Sequence, residues 1–206
     1  MMRDEMKLAP TIVTLNSLIS AYAQRGDVTN ALRLFDKART EMRLKPDVFT
    51  ANSVMHAFAR NSDVVGATDF LRFVQNELQI SPTTITMNSM INAHAKRGDL
   101  EGAEKVLRVM RVEMHLEPDA NTINCIMKAI VNGNAVSWPK LMEYYSTYFG
   151  EGRPLKADKY TYGCLLLACK KCRKPEEAAR LFDDLVASGI APNRMHRRLS
   201  KRRLLM

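Results

Sequence analysis

Apolar residues near the start of the chain recur at the spacing of a helix. In residues 14–27, TLNSLISAYAQRGD, they lie mostly three or four positions apart and so share one helical face. A second stretch with the same spacing follows at 28–38, so the pattern predicts two amphipathic helices in succession. The apolar positions are Leu15, Leu18, Ile19 and Tyr22 in the first stretch and Val28, Ala31, Leu32, Phe35 and Ala38 in the second.

Turn residues separate the two predicted helices and follow the second. Gly26 can adopt the left-handed conformation that ends a helix, and the Asp27 carboxylate can then cap the next helix. Pro46 stops the second helix, and Asp47 can cap the helix that comes after it. The segment therefore predicts a helix, a tight turn, a second helix and a short closing loop.

The same arrangement returns at a fixed interval. Residues 86–99, TMNSMINAHAKRGD, match residues 14–27 at nine of fourteen positions, and residues 50–63, TANSVMHAFARNSD, lie midway between them. The interval is 36 residues, with a last step of 39, and such a period is typical of a solenoid. One helix pair cannot bury its apolar face alone, so the pairs must stack. The position that marks each repeat, here called the anchor, is occupied by Asn16, Asn52, Asn88, Asn124 and Gly163.

The period divides the chain into five repeats and two ends. We predict an all-α, right-handed superhelical solenoid, in which an alanine in each repeat lets neighbouring helices approach closely. Residues 1–11 resemble the end of a preceding repeat or an N-terminal cap, and residues 194–206 are predicted to form a basic C-terminal helix or tail. The repeats are 12–47, 48–83, 84–119, 120–158 and 159–193, and the alanines are Ala21, Ala57, Ala93, Ala129 and Ala168.

Composition narrows the class of protein. The chain has 206 residues, of which 46% are hydrophobic and 26% are charged, as is ordinary for a globular protein or a repeat array. No apolar run approaches the ~18 residues of a membrane span, and the opening MMRDEMKLAPT is too charged for a secretory signal peptide. The four cysteines do not make a disulfide framework. We therefore expect a reducing compartment and no membrane.

The segment TLNSLISAYAQRGDVTNALRLFDKARTEMRLKPD resembles the pentatricopeptide repeat. The shared features are an early asparagine, a Leu-Ile pair, a basic residue before the glycine turn, A-x-x-L-F in the second helix and a closing Pro-Asp. The resemblance covers about residues 12–193. The tetratricopeptide repeat is the nearest alternative, but it has a period of about 34 residues and lacks both the asparagine and the closing Pro-Asp.

The resemblance implies a protein of a mitochondrion or chloroplast that binds single-stranded RNA, with about one base per repeat. In this family the anchor and the last residue of the repeat choose the base, and Asn with Asp resembles the uracil-preferring pair. The closing aspartates can also cap helices, and both roles can hold together. The implied base-recognition pairs are Asn16 with Asp47, Asn52 with Thr83, Asn88 with Asp119, Asn124 with Asp158, and Gly163 with Asn193.

The residue three positions before the anchor sandwiches the base in family members. Here the implied sandwiching residues are Val13, Phe49, Ile85 and Tyr160, whereas Asn121 departs from the apolar pattern. Asn52 with Thr83 and Gly163 with Asn193 also depart from the well-understood combinations. For the second, fourth and fifth repeats, the resemblance therefore leaves the recognition of a base in doubt.

Polar residues four positions apart share one face of each first helix. A polar stripe runs from Asn52 through His56 to Arg60, and its plain interpretation is a solvent-exposed face. Asparagine at four successive anchors, however, also suits the edge of an unpaired base. Basic residues along the stripes and in the tail are candidates to bind phosphate. They are Arg60, Lys96, Lys128, Lys171, Arg194, Arg198 and Arg202.

The fourth repeat is longer than the others and rich in aromatic residues. Ser137 and Pro139 predict a helix start within it. The aromatic side chains either fill the core beside a longer helix or form a surface that docks another protein. They are Trp138, Tyr144, Tyr145, Tyr148 and Phe149.

No pattern in the chain requires catalysis, a metal or a cofactor. His115 and Glu117, followed by Cys169 and Cys172, imitate a zinc deaminase, but HLEPD is the ordinary closing loop and the expected proline before the cysteines is missing. Cys164 with Cys169 and Cys172 forms either a metal or redox cluster or a set of small residues between helices. We expect no enzyme activity and no cofactor.

Positive charge is concentrated at the C-terminal end. The net charge is +9, and six Lys and Arg lie in residues 194–206, which leaves residues 1–193 with a net charge of +3. Met195, Leu199 and Met206 fall at helical spacing, so this segment either starts a further helix that packs on the fifth repeat or is a disordered basic arm.

Two functions are compatible with these features. The first is an RNA-binding protein that acts in RNA processing, stability or translation. The second is a structural subunit of a large organellar ribonucleoprotein, such as a mitochondrial ribosome, that binds ribosomal RNA and neighbouring proteins. The asparagine anchors favour the first function, and the aromatic fourth repeat and the basic tail favour the second.

Overall fold

The structure of the protein is a computed structural model that describes residues 10–149 and 152–200. Those residues form eleven α-helices and no strand, which confirms the all-α prediction. None of these helices is long and apolar enough to cross a membrane. They are α1 (Ile12–Arg25), α2 (Val28–Thr40), α3 (Val48–Asn61), α4 (Val64–Asn76), α5 (Thr84–Arg97), α6 (Leu100–Arg108, continued by the π-helix Val109–Glu113), α7 (Ala120–Asn132), α8 (Trp138–Tyr148), α9 (Lys159–Lys171), α10 (Pro175–Ala187) and α11 (Arg194–Leu199).

The turn chemistry predicted for the first repeat is present. Gly26 ends α1 in the left-handed region, with a φ of 73°. The Asp27 carboxylate accepts a hydrogen bond from the Asn30 N–H at 3.0 Å and so caps α2. Asp47 caps α3 by accepting from the Thr50 N–H at 2.8 Å. The capping and turn roles predicted for these residues are confirmed.

Residues other than glycine occupy left-handed positions in other repeats. Ser62, with a φ of 58°, stands where Gly26 and Gly98 stand in the first and third repeats. The Cβ atom makes this conformation unfavourable by about 1–2 kcal/mol for a residue other than glycine. A second set of such residues precedes the closing loops of the first three repeats and consists of Arg43, Gln79 and His115.

The chain divides into two compact units, Met1–Ala93 and His94–Met206. In the first unit α1 packs against α3, and the rings of Phe35 and Phe70 meet edge to face with centroids 5.3 Å apart. In the second unit the core lies among α7, α8, α9 and α10. Its largest fully buried side chains are Ile123, Met127, Leu141 and Leu165.

The alanine predicted once per repeat is buried in four repeats and exposed in one. Ala57, Ala93, Ala129 and Ala168 have no accessible surface, as their packing role requires. Ala21 is exposed. Because α1 is the first helix that the structure describes, no described helix pair precedes it and covers this face. The packing role predicted for Ala21 is therefore wrong within the described residues.

The aromatic residues of the fourth repeat pack on the core of the second unit. Ser137 caps α8 and Pro139 lies in its first turn, as predicted. Phe149 is buried, and the Tyr144 hydroxyl donates to Glu104 Oε1 at 2.7 Å. This packing favours the core-filling interpretation over a freely exposed docking surface. The half-buried aromatic side chains that pack against the core are Trp138, Tyr144, Tyr145 and Tyr148.

A short helix, α11, follows the fifth repeat. Asn193 caps it by accepting from the His196 N–H at 2.9 Å. Leu199 is buried, as predicted, but Met195 is 47% exposed, so the packing predicted for Met195 holds only in part. His196, the third residue of the helix, is also buried, because its side chain forms part of the cap with Asn193. The tail residues Lys201 to Met206, among them Arg202, lie outside the described residues.

Candidate nucleic-acid interface

The second residue of each first helix, here called the N2 position, is exposed to solvent. In the first compact unit the N2 residues Val13, Phe49 and Ile85 are 70%, 68% and 60% exposed. In the second unit Tyr160 is 64% exposed, and the N2 residues Asn121 and Met195 are exposed as well. Large apolar side chains are usually withdrawn from water, so their regular exposure at one helix position indicates a binding surface.

The anchor of the first repeat takes part in a hydrogen-bond network with two residues beyond α2. Asn16 Nδ2 donates to Asp47 Oδ1 at 3.3 Å, and the Thr50 hydroxyl donates to Asn16 Oδ1 at 2.6 Å. The Asp47 N–H donates in turn to Thr50 Oγ1 at 3.2 Å. Thr50 has no accessible surface, because it lies where α3 packs on α1. We call this arrangement the Asn–Asp–Thr network.

This network determines which way the Asn16 amide points. A carboxylate only accepts hydrogen bonds, so the amide must turn Nδ2 toward Asp47 and Oδ1 toward Thr50. One hydrogen on Nδ2 and one lone pair on Oδ1 then remain for a ligand. The hydrogen bonds that Asn16 and Thr50 donate to the Asp47 carboxylate go to Oδ1, so Oδ2 can accept a further one from a ligand.

The network also keeps Asp47 ionised. Partial burial by itself raises the pKa of the Asp47 carboxyl. Hydrogen bonds from the Thr50 N–H, from the Thr50 hydroxyl hydrogen that Asp47 shares with Asn16 Oδ1, from the Asn16 amide and from the Phe49 N–H outweigh burial, so the pKa is lowered from its ordinary value. A charged acceptor is therefore present in this repeat at neutral pH.

The same network recurs in the fourth repeat, within the second compact unit. Asn124 Nδ2 donates to Asp158 Oδ1 at 3.0 Å, and the Thr161 hydroxyl donates to Asn124 Oδ1 at 2.8 Å. Asp158 Oδ1 also accepts from the N–H groups of Tyr160 and Thr161. Asn124 is 6% exposed, so the network in this repeat is more enclosed than that of the half-buried Asn16.

In the second repeat a threonine replaces the closing aspartate and the network is weaker. Asn52 Nδ2 lies 3.5 Å from Thr83 Oγ1, while the Thr86 hydroxyl is 2.6 Å from Asn52 Oδ1. Both neighbours are hydroxyls, which donate as well as accept. The orientation of the Asn52 amide is therefore not imposed as it is in the first and fourth repeats.

The residues implied for the third repeat belong to different compact units. Asn88 belongs to the first unit and is buried. In the second unit Asp119 caps α7, accepting from the Thr122 N–H at 2.7 Å, and its own N–H donates to Thr122 Oγ1 at 3.1 Å. Asp119 therefore has the capping role predicted for a closing aspartate.

The fifth repeat lacks the network. Its anchor, Gly163, is buried and carries no side chain, and His196 takes the place that threonine holds elsewhere. His196 Nε2 lies 2.9 Å from Lys159 O, and His196 Nδ1 accepts from the Asn193 N–H at 3.4 Å. Of the implied pair, Gly163 contributes no polar side-chain group and Asn193 is the cap of α11.

The basic residues predicted to bind phosphate have several environments. Lys171 Nζ donates to Val131 O at 2.7 Å, so its ammonium group also caps the end of α7. Asn132, at the equivalent position of the fourth repeat, donates to Ala95 O at 2.9 Å. This helix position thus connects neighbouring repeats in both cases. Arg60, Arg194 and Arg198 are exposed, Lys96 and Lys128 are half-buried, and Arg202 lies outside the described residues.

Sequence reasoning missed the threonines of the network. Thr50, Thr86 and Thr161 each lie two positions before an anchor and donate to the anchor of the preceding repeat. The signal was present, since TAN, TMN and TYG repeat the threonine together with the anchor. The sequence did not show the role of these threonines, because each donates its hydrogen bond to the anchor 34 or 37 residues earlier and not to the anchor two positions later.

Two of the four cysteines, Cys125 and Cys169, are buried, and Cys164 and Cys172 are half-buried. Burial is the main cause that raises the pKa of Cys125 to about 11 and the pKa of Cys164 and Cys169 to about 12. These thiols are therefore protonated near neutral pH, where the thiolate is the metal ligand and nucleophile. Within residues 10–149 and 152–200, no three His, Cys, Asp or Glu side chains are placed together to hold a metal ion.

Two family models match the chain. The PPR repeat family model matches residues 10–60 and 82–132, and the PPR repeat model matches residues 160–190. Together they cover more than half of the sequence, so the chain belongs to the pentatricopeptide repeat family. A comparison with curated proteins finds no significant match.

Solved structures share the fold over nearly the whole chain. The pentatricopeptide repeat protein PPR10 in complex with an 18-nucleotide psaJ RNA element is 22% identical, with a TM-score of 0.70 over 97% of this chain and 28% of that one. PPR10 from maize is 18% identical, with a TM-score of 0.55 over 97% of this chain and 32% of that one. The nuclear proteinaceous RNase P 2 (PRORP2) of A. thaliana is 15% identical, with a TM-score of 0.56 over 91% and 40%. The chain spans less than half the length of these proteins, and the likeness confirms the predicted α-solenoid fold.

Proposed function

We propose that this protein binds single-stranded RNA, with about one base per repeat, and acts in the processing, stability or translation of transcripts in a mitochondrion or chloroplast. The proposal is carried by one observation, the presence in the same repeat of an exposed apolar N2 residue and an Asn–Asp–Thr network. It is supported by family membership, since PPR10 was solved with an RNA element bound. The organellar setting rests on the family resemblance.

The first repeat supplies stacking groups and polar groups together. Val13 and Phe49 are the exposed N2 residues of α1 and α3, which pack together, and Asn16 lies three positions beyond Val13. A base between the two apolar side chains would meet the remaining Nδ2 hydrogen of Asn16 and the Asp47 Oδ2. Uracil presents a carbonyl oxygen beside an N–H on its Watson–Crick edge, and these two groups complement it. The preference for uracil over other bases rests on the resemblance of Asn with Asp to the family's uracil-preferring pair.

Phe49→Ala tests the stacking role. Loss of base stacking on an aromatic ring costs about 1–3 kcal/mol, so we expect roughly 5- to 150-fold weaker binding of a uracil-rich single strand. Val65→Ala is the matched control, because Val65 is also 68% exposed and is the second residue of α4, the second helix of the same repeat. Binding would be measured by fluorescence anisotropy with single-stranded oligo(U), oligo(A) and duplex RNA. Equal losses for both variants, or equal wild-type affinity for the three RNAs, would contradict the proposal.

We also propose that the protein is not an enzyme. One solved neighbour, PRORP2, is by name an RNase P, so family membership does not by itself separate a binding protein from a nuclease. Incubation of end-labelled RNA with the protein and Mg²⁺ should leave the RNA intact on a denaturing gel. Cleavage products that appear in proportion to protein concentration would contradict this part of the proposal.

A second candidate function is that of a structural subunit of an organellar ribonucleoprotein, such as a mitochondrial ribosome, that binds ribosomal RNA and neighbouring proteins. The observation that favours it is the concentration of six of the nine net positive charges in residues 194–206. Phosphate contacts of this kind give affinity without sequence preference. Recovery of ribosomal subunits with the tagged protein after a high-salt wash would support this function, and recovery of a defined transcript alone would oppose it.

A further inference from the structure

We propose that the turn between the two helices of the fifth repeat, residues 170–174 (KKCRK), binds the phosphate backbone of RNA without regard to base sequence. The inference rests on the RNA binding proposed above and adds a contact site to it. It is carried by two positions of the turn, Arg173 and Lys174. At both, a basic residue stands where other repeats have a residue that stabilises the turn.

Arg173 occupies the left-handed position that follows the first helix of the repeat. Its φ is 54°, and the corresponding residues of the first and third repeats are Gly26 and Gly98, with φ values of 73° and 69°. The Cβ atom of arginine makes this conformation unfavourable, whereas glycine adopts it readily. Arginine at this position therefore destabilises the turn relative to the glycine found in those two repeats.

Lys174 occupies the capping position of the second helix. In the first three repeats this position is held by Asp27, Asp63 and Asp99, and each carboxylate accepts a hydrogen bond from the N–H of the third helical residue. The lysine ammonium group only donates, and no side-chain hydrogen bond caps the start of α10. The positive partial charge at the start of a helix also disfavours a cation. Lysine is therefore unfavourable here for two reasons.

Both replacements place positive charge at one turn. Residues 170–174 contain four basic residues and no acidic one. Lys170 and Lys171 have an ordinary explanation, because cations in the last turn of α9 are stabilised by the helix dipole. Arg173 and Lys174 lie beyond that helix and replace residues that would make the turn more stable. Departures from local stability that coincide in this way indicate a functional site.

The charge of Arg173 is available to a ligand. Its side chain is exposed and forms no ion pair or hydrogen bond with any residue that the structure describes. Two acidic residues, Glu176 and Glu177, follow in the first turn of α10. Glu177 is paired with Arg180, at 3.5 Å between Oε1 and Nη1. The acidic residues of α10 therefore do not neutralise the guanidinium group by direct contact.

A phosphate backbone is the anion that suits this turn. A guanidinium group can bind phosphate through two parallel hydrogen bonds, and an ammonium group adds a point charge. Lys174 Nζ lies 5.5 Å from the centre of the Trp138 ring, which positions the ammonium group without removing its charge. The turn follows directly on α9, whose exposed Tyr160 belongs to the proposed RNA-binding surface. This continuity favours RNA over an acidic protein as the ligand.

The double variant Arg173→Gly, Lys174→Asp restores the turn residues of the first and third repeats and separates binding from folding. We expect a higher midpoint of urea unfolding, because glycine and the capping aspartate are favourable at these positions. In the same protein we expect weaker RNA binding. The affinity for single-stranded oligo(U) and for oligo(A) should fall by the same factor, about fivefold or more at about 0.1 M salt. The slope of log affinity against log salt should become shallower by roughly 0.7 for each lost contact.

Arg43→Gly, Lys45→Asp is the matched control. Arg43 is also an exposed arginine in the left-handed region, with a φ of 51°, and Lys45 is exposed as well. The control changes the net charge by the same amount, but in the first compact unit. We expect it to leave the salt slope unchanged and to reduce affinity much less than the restored turn does.

Equal losses of affinity in the two double variants would overturn the inference, because net charge alone would then explain them. A loss confined to oligo(U) would also overturn it, since that result indicates a contact with a base. Unchanged binding by the restored turn would overturn it in favour of an acidic protein as the ligand. If circular dichroism shows that the restored turn does not fold, Arg173→Gln decides, since it removes one charge and should reduce the slope by roughly 0.7. A wild-type protein that binds none of these RNAs would instead overturn the proposed RNA binding itself.

Discussion

Thr161→Val removes one hydroxyl from the Asn–Asp–Thr network of the fourth repeat and keeps the shape of the side chain. Thr161 has no accessible surface. Its hydroxyl donates to Asn124 Oδ1 at 2.8 Å and accepts from the Asp158 N–H at 3.1 Å. Valine is compatible with the helix and fills nearly the same volume, so the change isolates the hydrogen bonds from the packing.

The expected loss of stability follows from the two groups that are left without a partner. A buried polar group that loses its hydrogen bond costs about 1–3 kcal/mol. Asn124 is buried, so the loss of a partner at its Oδ1 accounts for most of this cost, whereas Asp158 is only half-buried and water can reach it. The methyl group that replaces the hydroxyl is buried as well, and this burial stabilises the folded state by about 1 kcal/mol. We therefore expect the free energy of unfolding to fall by about 2 kcal/mol.

Urea unfolding followed by circular dichroism measures this change, with the slope of the transition checked for each variant. Thr161→Ser is the matched control, since it keeps the hydroxyl and loses only a methyl group, at a cost of about 1 kcal/mol. Thr40→Val is a control for the hydroxyl of an exposed threonine, which donates to Asp36 O at 2.9 Å. It should change stability by less than about 0.5 kcal/mol.

The reasoning would be refuted if Thr161→Ser destabilised the protein more than Thr161→Val. That order would mean that the methyl group, and not the hydroxyl, makes the important contact at this position. A loss for Thr161→Val no larger than that for Thr40→Val would also refute it. The Asn124 amide would then be held by Asp158 alone.

Two further predictions concern the turns and the caps. Ser62→Gly should raise the free energy of unfolding by about 0.5–1 kcal/mol, because the gain from removing a Cβ atom at a left-handed residue exceeds the cost of the greater freedom of glycine in the unfolded chain. Gly26→Ser should lower the free energy of unfolding in the same urea assay. A lower free energy of unfolding in both variants would contradict the turn argument. Because the pKa of Asp47 is lowered in the folded state, its stabilisation should be present above its ordinary pKa of about 4 and lost as the pH falls through the lower folded value. The stability advantage of the wild type over Asp47→Asn should therefore shrink as the pH falls below about 4, and an advantage that does not change with pH would count against the carboxylate.

The helices and the turns of this protein follow from local chemistry, and the sequence alone predicts them. Gly26, Asp27 and Asp47 act on backbone groups within four positions of themselves, so residues that are close in the chain are also close in space. The 36-residue period then requires stacked helix pairs, because one pair cannot bury its apolar face. Even the anchors and the N2 residues are visible in the sequence as positions that recur with the period.

The contacts between repeats were decided only by the tertiary structure. Thr50 meets Asn16 across 34 residues, His196 meets Lys159 O across 37, and Lys171 turns to Val131 O across 40. Each of these contacts depends on the register in which one helix pair packs on the next, and no local pattern sets that register. For the same reason the sequence showed that glycine replaces asparagine at the fifth anchor, Gly163, but not that the His196 and Met195 side chains lie beside it. Local spacing therefore determines which residues repeat, and packing determines which of them hold one another in place.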